Sequence, residues 1–252
     1  MLSIITINYN NRSGLTRTIV SILAQSYRQI EVVVIDGAST DGSVEYLTSI
    51  DGGSVRWFSE KDEGIYHAMQ KGLAHVRGDA VLFLNAGDWF SDNAIVGRIA
   101  DSIDIGKIVV LGRVAQVIGD DLFVRPRLEH LGTLFKHPAH QAIIVPVEIA
   151  RKFDFDRKLS ISADIEWARQ CIVSCDCILV PWVISYVSLG GVSNSATFAD
   201  LRTWVMEASG AKRWVRLTKA TIKYVMRLFL GRKWLYRILA WRSAEFTRVR
   251  IK

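Results

Sequence analysis

The sequence contains little cysteine and proline, and it has no long apolar run. The three cysteines, Cys171, Cys175 and Cys177, lie close together without a fourth ligand or a nearby histidine, which argues against a zinc site and favours reduced thiols. Only 4 prolines occur among 252 residues, and no repeat or low-complexity stretch is present, so a largely disordered chain is excluded. No apolar run approaches the ~20 residues of a membrane span, and no basic signal-peptide region precedes the first apolar run. We therefore expect a cytoplasmic protein whose membrane contact is peripheral.

Charge is distributed unevenly along the chain. Residues 1–201 carry 18 basic and 23 acidic side chains, whereas residues 202–252 carry 14 basic and 2 acidic ones. Apolar residues recur between these basic residues, and Trp204, Trp214, Trp234 and Trp241 lie among them. This pattern predicts a basic amphipathic helical tail over residues 201–252 that binds the anionic inner face of the membrane. The alternative is a pair of helices packed on the main domain with a solvated basic face.

Short apolar runs alternate with helical patterns in the first half of the chain. Strands are predicted at 2–7, 31–35, 55–58 and 80–84, and helical spacing follows at 15–25, around 44–47 and at 64–76. Continuous apolar strands separated by helices are typical of a parallel sheet with helices on both faces. After residue 88, further strands and a hairpin near residue 120 predict antiparallel additions. The fold class is therefore α/β, with a Rossmann-like, mixed and mainly parallel sheet in one domain over residues 1–200.

Polar side chains follow three of the predicted strands, where the strands end. Because the carboxyl ends of parallel strands meet at one edge of a sheet, these clusters are expected to converge on a ligand. Tyr9 could stack on a base, and Asp36 could accept hydrogen bonds from a base or ribose. The alternative is that asparagine, glycine and aspartate merely form turns here. The residues concerned are Thr6, Asn8, Tyr9, Asp36, Asn85, Ala86, Gly87 and Asp88.

Several segments of the chain resemble the inverting family 2 glycosyltransferases of the GT-A fold. They are SIITINYNN, VVVIDGASTDGS, SEKDEGIYHAMQKG, LFLNAGD, HPAHQAIIVP, ISADIEWARQ and SLGGVSN, and they extend over residues 1–195. The resemblance is nearest to the branch that acts in bacterial exopolysaccharide or O-antigen assembly, including colanic-acid-type enzymes. It implies a donor half over residues 1–105 and an acceptor half over 106–200.

The resemblance also implies the ligands. The donor would be a nucleoside diphosphate sugar, most often a UDP-sugar, and the acceptor a lipid-linked saccharide. A divalent cation, Mn²⁺ or Mg²⁺, would neutralise the leaving diphosphate. The implied donor-binding residues are Thr6, Asn8, Tyr9, Asp36, Asp62, Lys71, Asn85, Ala86, Gly87, His140 and Gly191, and the implied metal ligand is Asp88.

Some of these residues have alternative interpretations. Where many family members have the pattern DxDD, this chain has Asn85-Ala86-Gly87-Asp88, so a metal-independent site remains open. His140 could be purely structural. Asp62 and Lys71 could belong to an exposed helix start, and Gly191 could form a plain turn.

Asp164 is the predicted catalytic base. An inverting transfer needs one carboxylate to accept the proton of the acceptor hydroxyl. Asp164 lies in the segment SADIE, with Ser162 as a possible N-cap, and a helix N-terminus stabilises an ionised carboxylate. The alternative is an aspartate that only stabilises the first turn of its helix.

Two other functions fit the sequence less well. A sugar nucleotidyltransferase would need a glycine-rich phosphate loop after the first strand, where this chain has NYNNRSG. A non-catalytic nucleotide-sugar-binding or membrane scaffold remains possible because the metal pattern is degenerate. No nucleic-acid-binding motif is present, so nucleic acid is not an expected partner. Self-association into a homo-oligomer is left open.

Overall fold

A computed structural model describes residues 1–50, 53–118, 120–157, 159 and 162–188, together with the backbone of 247–250. Its strands are β1 (Leu2–Asn8), β2 (Ile30–Asp36), β3 (Val55–Ser59), β4 (Ala80–Phe83), β5 (Trp89–Phe90), β6 (Val109–Ile118), β7 (Asp121–Arg125), β8 (Ile143–Pro146), β9 (Cys177–Val187) and β10 (Thr247–Arg250). Its α-helices are α1 (Arg12–Leu23), α2 (Ser43–Ser49), α3 (Ile65–His75), α4 (Ile95–Ala100), α5 (Val147–Ala150) and α6 (Ala163–Val173). Short 3₁₀ segments cover Leu128–Phe135 and His140–Ala142.

The strands form one mixed sheet. Strands β3, β2, β1 and β4 are parallel neighbours in that order. Beyond β4, the strands β8, β6, β7 and β10 add antiparallel, while β9 runs parallel to β6 and pairs with β5. The parallel half brings the ends of β1, β2 and β4 to one edge, which is the edge that carries the predicted site.

Each central strand buries both of its faces, as a sheet covered by helices requires. On β2, Val32 and Val34 pack in one apolar cluster with α1, α2 and α4, whereas Val33 and Ile35 pack in another with α3, α5 and α6. At Gly72 of α3 the helix lies so close to the sheet that an added Cβ would stand 2.4 Å from Ile5 Cγ2. Successive residues of a strand face opposite sides of the sheet, and helices cover both sides. The strands therefore appear in the sequence as continuous apolar runs.

A buried glutamate fixes the opposite edge of the sheet, where the parallel strands begin. Glu31 of β2 accepts a hydrogen bond of 2.5 Å from the Ser3 hydroxyl of β1 and one of 2.9 Å from Arg56 of β3. The backbone N–H groups of Arg77 and Gly78, which precede β4, donate to the same carboxylate. Burial opposes ionisation of Glu31, but these donors outweigh it and lower the pKa. One carboxylate thus connects all four parallel strands.

The predicted strands and helices of the main domain are confirmed, including the change to antiparallel pairing after residue 88. In the tail, Thr247–Arg250 forms a strand on the sheet edge beside β7, so the helical prediction is wrong for these four residues. In this segment β-branched and basic residues alternate, and its backbone pairs with the open edge of β7. The helical pattern of the preceding residues could not reveal this pairing. The rest of the tail prediction concerns residues outside the described part of the chain. Within the described part, no helix is long and apolar enough to cross a membrane.

Candidate active site

The ends of β1 and β2 are joined by side chains. Asn8 and Asp36 occupy the same level of the two paired strands, and Asn8 Nδ2 donates to Asp36 Oδ1 over 2.7 Å. Ser39 donates to Asp36 through both its hydroxyl (2.6 Å) and its backbone N–H (2.9 Å), and the Ser59 hydroxyl adds a bond of 2.7 Å. Burial raises the pKa of Asp36, but these donors outweigh it and lower the pKa.

Asp36 is predicted to accept hydrogen bonds from a base or ribose, and in the structure it accepts them from the protein. Its carboxylate is fully buried, and protein donors contact both of its oxygens. It organises the loop after β2, where Ala38 has a positive φ of 60°. The sequence could not show this because the donors come from three separate segments.

In this loop, Gly37 lies against the side chains of both Tyr9 and Asp62. A Cβ added to Gly37 would stand 2.8 Å from Asp62 Oδ2 and 3.1 Å from Tyr9 Cδ2, so only glycine leaves room between these side chains. Tyr9 is 68% exposed, which leaves its ring face open for stacking. Asp62 Oδ1 accepts from the Gly64 N–H over 2.9 Å. An exposed aromatic ring and a carboxylate thus lie beside the same glycine, a suitable combination for a nucleoside.

The loop after β4 carries Asn85, Ala86, Gly87 and Asp88, and helix α1 holds it in place. The Thr18 hydroxyl donates to the Asp88 carbonyl over 2.6 Å and accepts from the Gly87 N–H over 3.0 Å. Asn11 caps α1 through Oδ1 and donates from Nδ2 to the Ala86 carbonyl over 3.0 Å. These contacts bring the β4 loop beside the end of β1, as the sequence predicted.

Gly87 explains part of the departure from the family pattern. Its φ of 106° is one that side-chain-bearing residues rarely adopt, and an added Cβ would lie 3.0 Å from Ser188 Oγ. A carboxylate at position 87 would therefore need a different loop backbone.

Asp88 is buried at the base of the loop. It is 6% exposed, and burial raises its pKa to about 6. Only neutral donors contact its oxygens, since Gln141 Nε2 and the Ser188 N–H each approach to 3.2 Å. Among the described residues, no cluster of three or more histidine, cysteine, aspartate or glutamate side chains forms a metal site. A buried carboxylate whose oxygens contact only neutral donors is nevertheless the kind of group that a divalent cation stabilises.

Asp164 lies in the first turn of α6, and its side chain is 18% exposed. His140 Nδ1 approaches Asp164 Oδ2 to 2.5 Å, and the Tyr66 hydroxyl donates to Oδ1 over 3.3 Å. Burial raises the pKa of Asp164, but the hydrogen bond and the electrostatic attraction from His140, with smaller contributions from the Ile165 N–H and Tyr66, outweigh burial and lower the pKa. Asp164 is therefore ionised at neutral pH and able to accept a proton. Ser162 occupies the N-cap position without a side-chain capping bond.

A chain of contacts joins Asp164 to the β4 loop. The second ring nitrogen of His140, Nε2, lies 3.3 Å from Asn85 Nδ2. The predicted base and the predicted donor loop are therefore neighbours through a single imidazole. Three buried oxygens at this edge have no hydrogen-bond partner among the described residues: Thr6 Oγ1, Asn8 Oδ1 and Asn85 Oδ1.

Some predicted residues are engaged elsewhere, and others were missed. Lys71 forms an ion pair of 2.7 Å with Glu60. Gly191 lies outside the described residues. Sequence reasoning missed Tyr66 and Gln141, although both lie in segments that carry the family resemblance. It also missed Thr18, which nothing in its helical context distinguishes.

Comparison with known proteins decides the family. The model of glycosyl transferase family 2 matches residues 3–165. The chain belongs to this family. An uncharacterized glycosyltransferase of Mycobacterium tuberculosis is 34% identical over 221 residues, which is 80% of this chain and 81% of the relative. An uncharacterized glycosyltransferase of Haemophilus influenzae is 34% identical over 98 residues, which is 38% of this chain and 39% of the relative. The predicted enzyme class, a glycosyltransferase, is confirmed.

Solved structures show the same fold. Staphylococcus aureus TarS 1-349 in complex with UDP-GlcNAc has a TM-score of 0.65 at 16% identity, covering 92% of this chain and 72% of that chain. The mannosyltransferase PcManGT of Pyrobaculum calidifontis, in complex with GDP-Man and Mn²⁺, has a TM-score of 0.58 at 15% identity, covering 95% and 73%. The predicted GT-A architecture of this family 2 enzyme is thus confirmed.

Proposed function

We propose that this glycosyltransferase is an inverting enzyme that moves a sugar from a UDP-sugar to a hydroxyl of a lipid-linked saccharide during bacterial surface polysaccharide synthesis. The observation that carries the proposal is an ionised carboxylate, Asp164, joined to the β4 loop through His140 and Asn85. A direct displacement at an anomeric carbon requires a base held close to the donor-binding loop.

The nucleoside would lie beside Gly37, with the base stacked on the Tyr9 ring and the ribose near Asp62. Support comes from the exposure of Tyr9 and from the space that Gly37 leaves. Asp36 would act indirectly by fixing the loop that carries Gly37. A UDP donor is favoured because TarS was solved with UDP-GlcNAc, whereas PcManGT with GDP-Man keeps a GDP donor as the second candidate.

Asp88 would hold a divalent cation, Mn²⁺ or Mg²⁺, against the donor diphosphate. When bound, such a cation neutralises charge on the leaving diphosphate. The residues fit it, because Asp88 is a buried hard-oxygen ligand without a cationic contact, and the Mn²⁺ of PcManGT supports the assignment. With a single carboxylate in the loop, most of the remaining ligands would be diphosphate and water oxygens.

In the transfer, Asp164 would accept the proton of the acceptor hydroxyl as its oxygen attacks the anomeric carbon. The bond to the diphosphate oxygen breaks as the new glycosidic bond forms, which inverts the configuration. Tyr66 and His140 contact the two oxygens of Asp164 and so orient the carboxylate.

The test is donor hydrolysis and transfer with a panel of UDP-, GDP- and dTDP-sugars. Asp164→Asn should abolish turnover while calorimetric titration with UDP and Mn²⁺ still detects binding. Asp101→Asn is the matched control, because Asp101 is exposed after the end of α4 and lies near Met1 and Asp79, at the edge of the sheet where the parallel strands begin. Near-normal turnover of Asp164→Asn would refute the base. Nucleotide binding by the native chain without turnover of any donor would favour the non-catalytic scaffold instead.

The basic tail would bring the enzyme to its lipid-linked acceptor by binding anionic lipid. The support is compositional, since residues 202–252 carry 14 basic side chains among tryptophans. Because β10 completes the sheet edge, the test replaces Lys212, Arg213, Arg216 and Lys219 by glutamine instead of truncating the chain. Sedimentation with anionic vesicles should weaken in this variant and with rising salt. Salt-insensitive binding would contradict the proposal.

A further inference from the structure

One imidazole lies between the proposed base and the donor loop. His140 is 14% exposed, with Nδ1 at 2.5 Å from Asp164 Oδ2 and Nε2 at 3.3 Å from Asn85 Nδ2. The three residues come from the 3₁₀ turn before β8, from α6 and from the loop after β4. The contact therefore depends on the packing of three separate segments.

The two neighbours select one form of the ring. An ionised carboxylate only accepts hydrogen bonds, so His140 must carry its proton on Nδ1 to bond Asp164. The amide nitrogen of Asn85 only donates, so Nε2 must accept. Together they favour the neutral Nδ1–H tautomer, in which the proton lies toward Asp164.

We propose that Asn85 and His140 are positioning residues, in which the Asn85 amide fixes the tautomer of His140 and His140 in turn orients the Asp164 carboxylate. The proposal builds on the function proposed above, because it assumes that Asp164 is the base. It assigns His140 to the base, whereas the sequence resemblance implied a donor contact. It also gives a reason for asparagine where many family members have the first aspartate of DxDD.

A carboxylate at position 85 could not perform this role. It would accept from Nε2 and so compete with Asp164 for the proton of the ring. His140 would then either be neutral, with an unprotonated Nδ1 facing Asp164, or be doubly protonated and carry a full positive charge between two carboxylates. In the first case Asp164 loses its bond, and in the second the bond strengthens and makes Asp164 a weaker base.

Asn85→Asp separates this role from metal binding. If position 85 served the cation, restoring the carboxylate of the common pattern would preserve or improve turnover at limiting Mn²⁺. The positioning role predicts the opposite, a decrease in kcat of about tenfold to a hundredfold with little change in the donor KM. Equal or higher kcat in Asn85→Asp would overturn the proposal.

The coupling between the two residues is tested at position 140. His140→Ala should lower kcat, and His140→Asn should recover part of it, because an asparagine amide can donate from near the Nδ1 position. In the His140→Ala background, Asn85→Asp should have little further effect on kcat, since the ring that links the residues is gone. Additive losses would refute the link. His130→Asn, at an exposed histidine, is the control that should leave kcat unchanged.

A spectroscopic measurement distinguishes failure of this proposal from failure of the proposed function. In ¹⁵N-histidine NMR of the native chain at mildly alkaline pH, His140 should show the Nδ1–H tautomer, and Asn85→Asp should change that signal. An Nε2–H tautomer in the native chain would overturn the positioning role even if the enzyme is active. The expected tautomer in a chain that turns over no donor would leave the geometry intact and refute the function.

Discussion

Replacing Asp88 by asparagine should stabilise the metal-free protein while it abolishes turnover. Burial raises the pKa of Asp88 from the ordinary 3.8 to about 6. A difference of this size makes the ionised form unfavourable by about 3 kcal/mol in the folded state. Asparagine removes that penalty but leaves one of the donors on Asp88, Gln141 or the Ser188 N–H, without an acceptor, at a cost of about 1 kcal/mol. The net gain at neutral pH should be about 2 kcal/mol.

The predicted difference in the free energy of unfolding depends on pH. Because the folded-state pKa of Asp88 is raised, its protonated form carries no penalty below the unfolded-state pKa. The free energy of unfolding then decreases as the pH rises toward about 6, and the full penalty persists above that value. Asp88→Asn should therefore exceed the native chain in stability at about pH 7.5 and lose the advantage at about pH 4.

Urea unfolding in the presence of a chelator, at both pH values, measures this difference. Asp101→Asn, at an exposed aspartate, should show no comparable change. Adding Mn²⁺ and UDP should raise the stability of the native chain but not of Asp88→Asn, because only the native carboxylate gains from the cation. A variant no more stable than the native chain at neutral pH, or an equal gain at both pH values, would refute the reasoning.

Three further substitutions test other parts of the structure. Glu31→Gln should lower the free energy of unfolding by about 1–3 kcal/mol at neutral pH. Because the pKa of Glu31 is lowered in the folded state, this loss should become smaller in acid. A loss that urea titrations show to be independent of pH would contradict the prediction. Gly72→Ala should destabilise by about 1–3 kcal/mol in thermal unfolding, because the new methyl group clashes with Ile5 Cγ2. The loss should be smaller in an Ile5→Ala background, which lacks that Cγ2. Gly87→Asp should lower the free energy of unfolding by about 1–3 kcal/mol through backbone strain. It should not lower the Mn²⁺ concentration needed for activity. A variant that is activated at lower Mn²⁺ and is as stable as the native chain would argue against the strained loop.

The fold could be predicted because its signal is local and repeated. Val32 to Ile35 form one apolar run because each strand face meets a helix layer, and that run is visible in the sequence. The convergence of the strand ends followed from the direction of parallel strands alone. It needed no knowledge of which side chains touch.

The contacts within the site could not be predicted in the same way. The bond between Tyr66 and Asp164 joins residues 98 positions apart, and the bond between His140 and Asn85 spans 55. Each bond depends on how segments that are distant in sequence pack together, and no local sequence pattern shows that packing. Asp36 is the clearest case, because its neighbours in sequence suggest a free acceptor, while Ser59, 23 positions away, helps to saturate it.

Two buried carboxylates, Glu31 and Asp88, have different roles at opposite ends of the parallel sheet. Glu31 secures strand alignment where the strands start, and it does so independently of any ligand. At the opposite end of the sheet, the buried charge of Asp88 and changes in the surrounding loop residues can then be tolerated without a shift in strand register. Engineering of donor preference should therefore concentrate on the loops after β1, β2 and β4, and leave the anchor at Glu31 untouched.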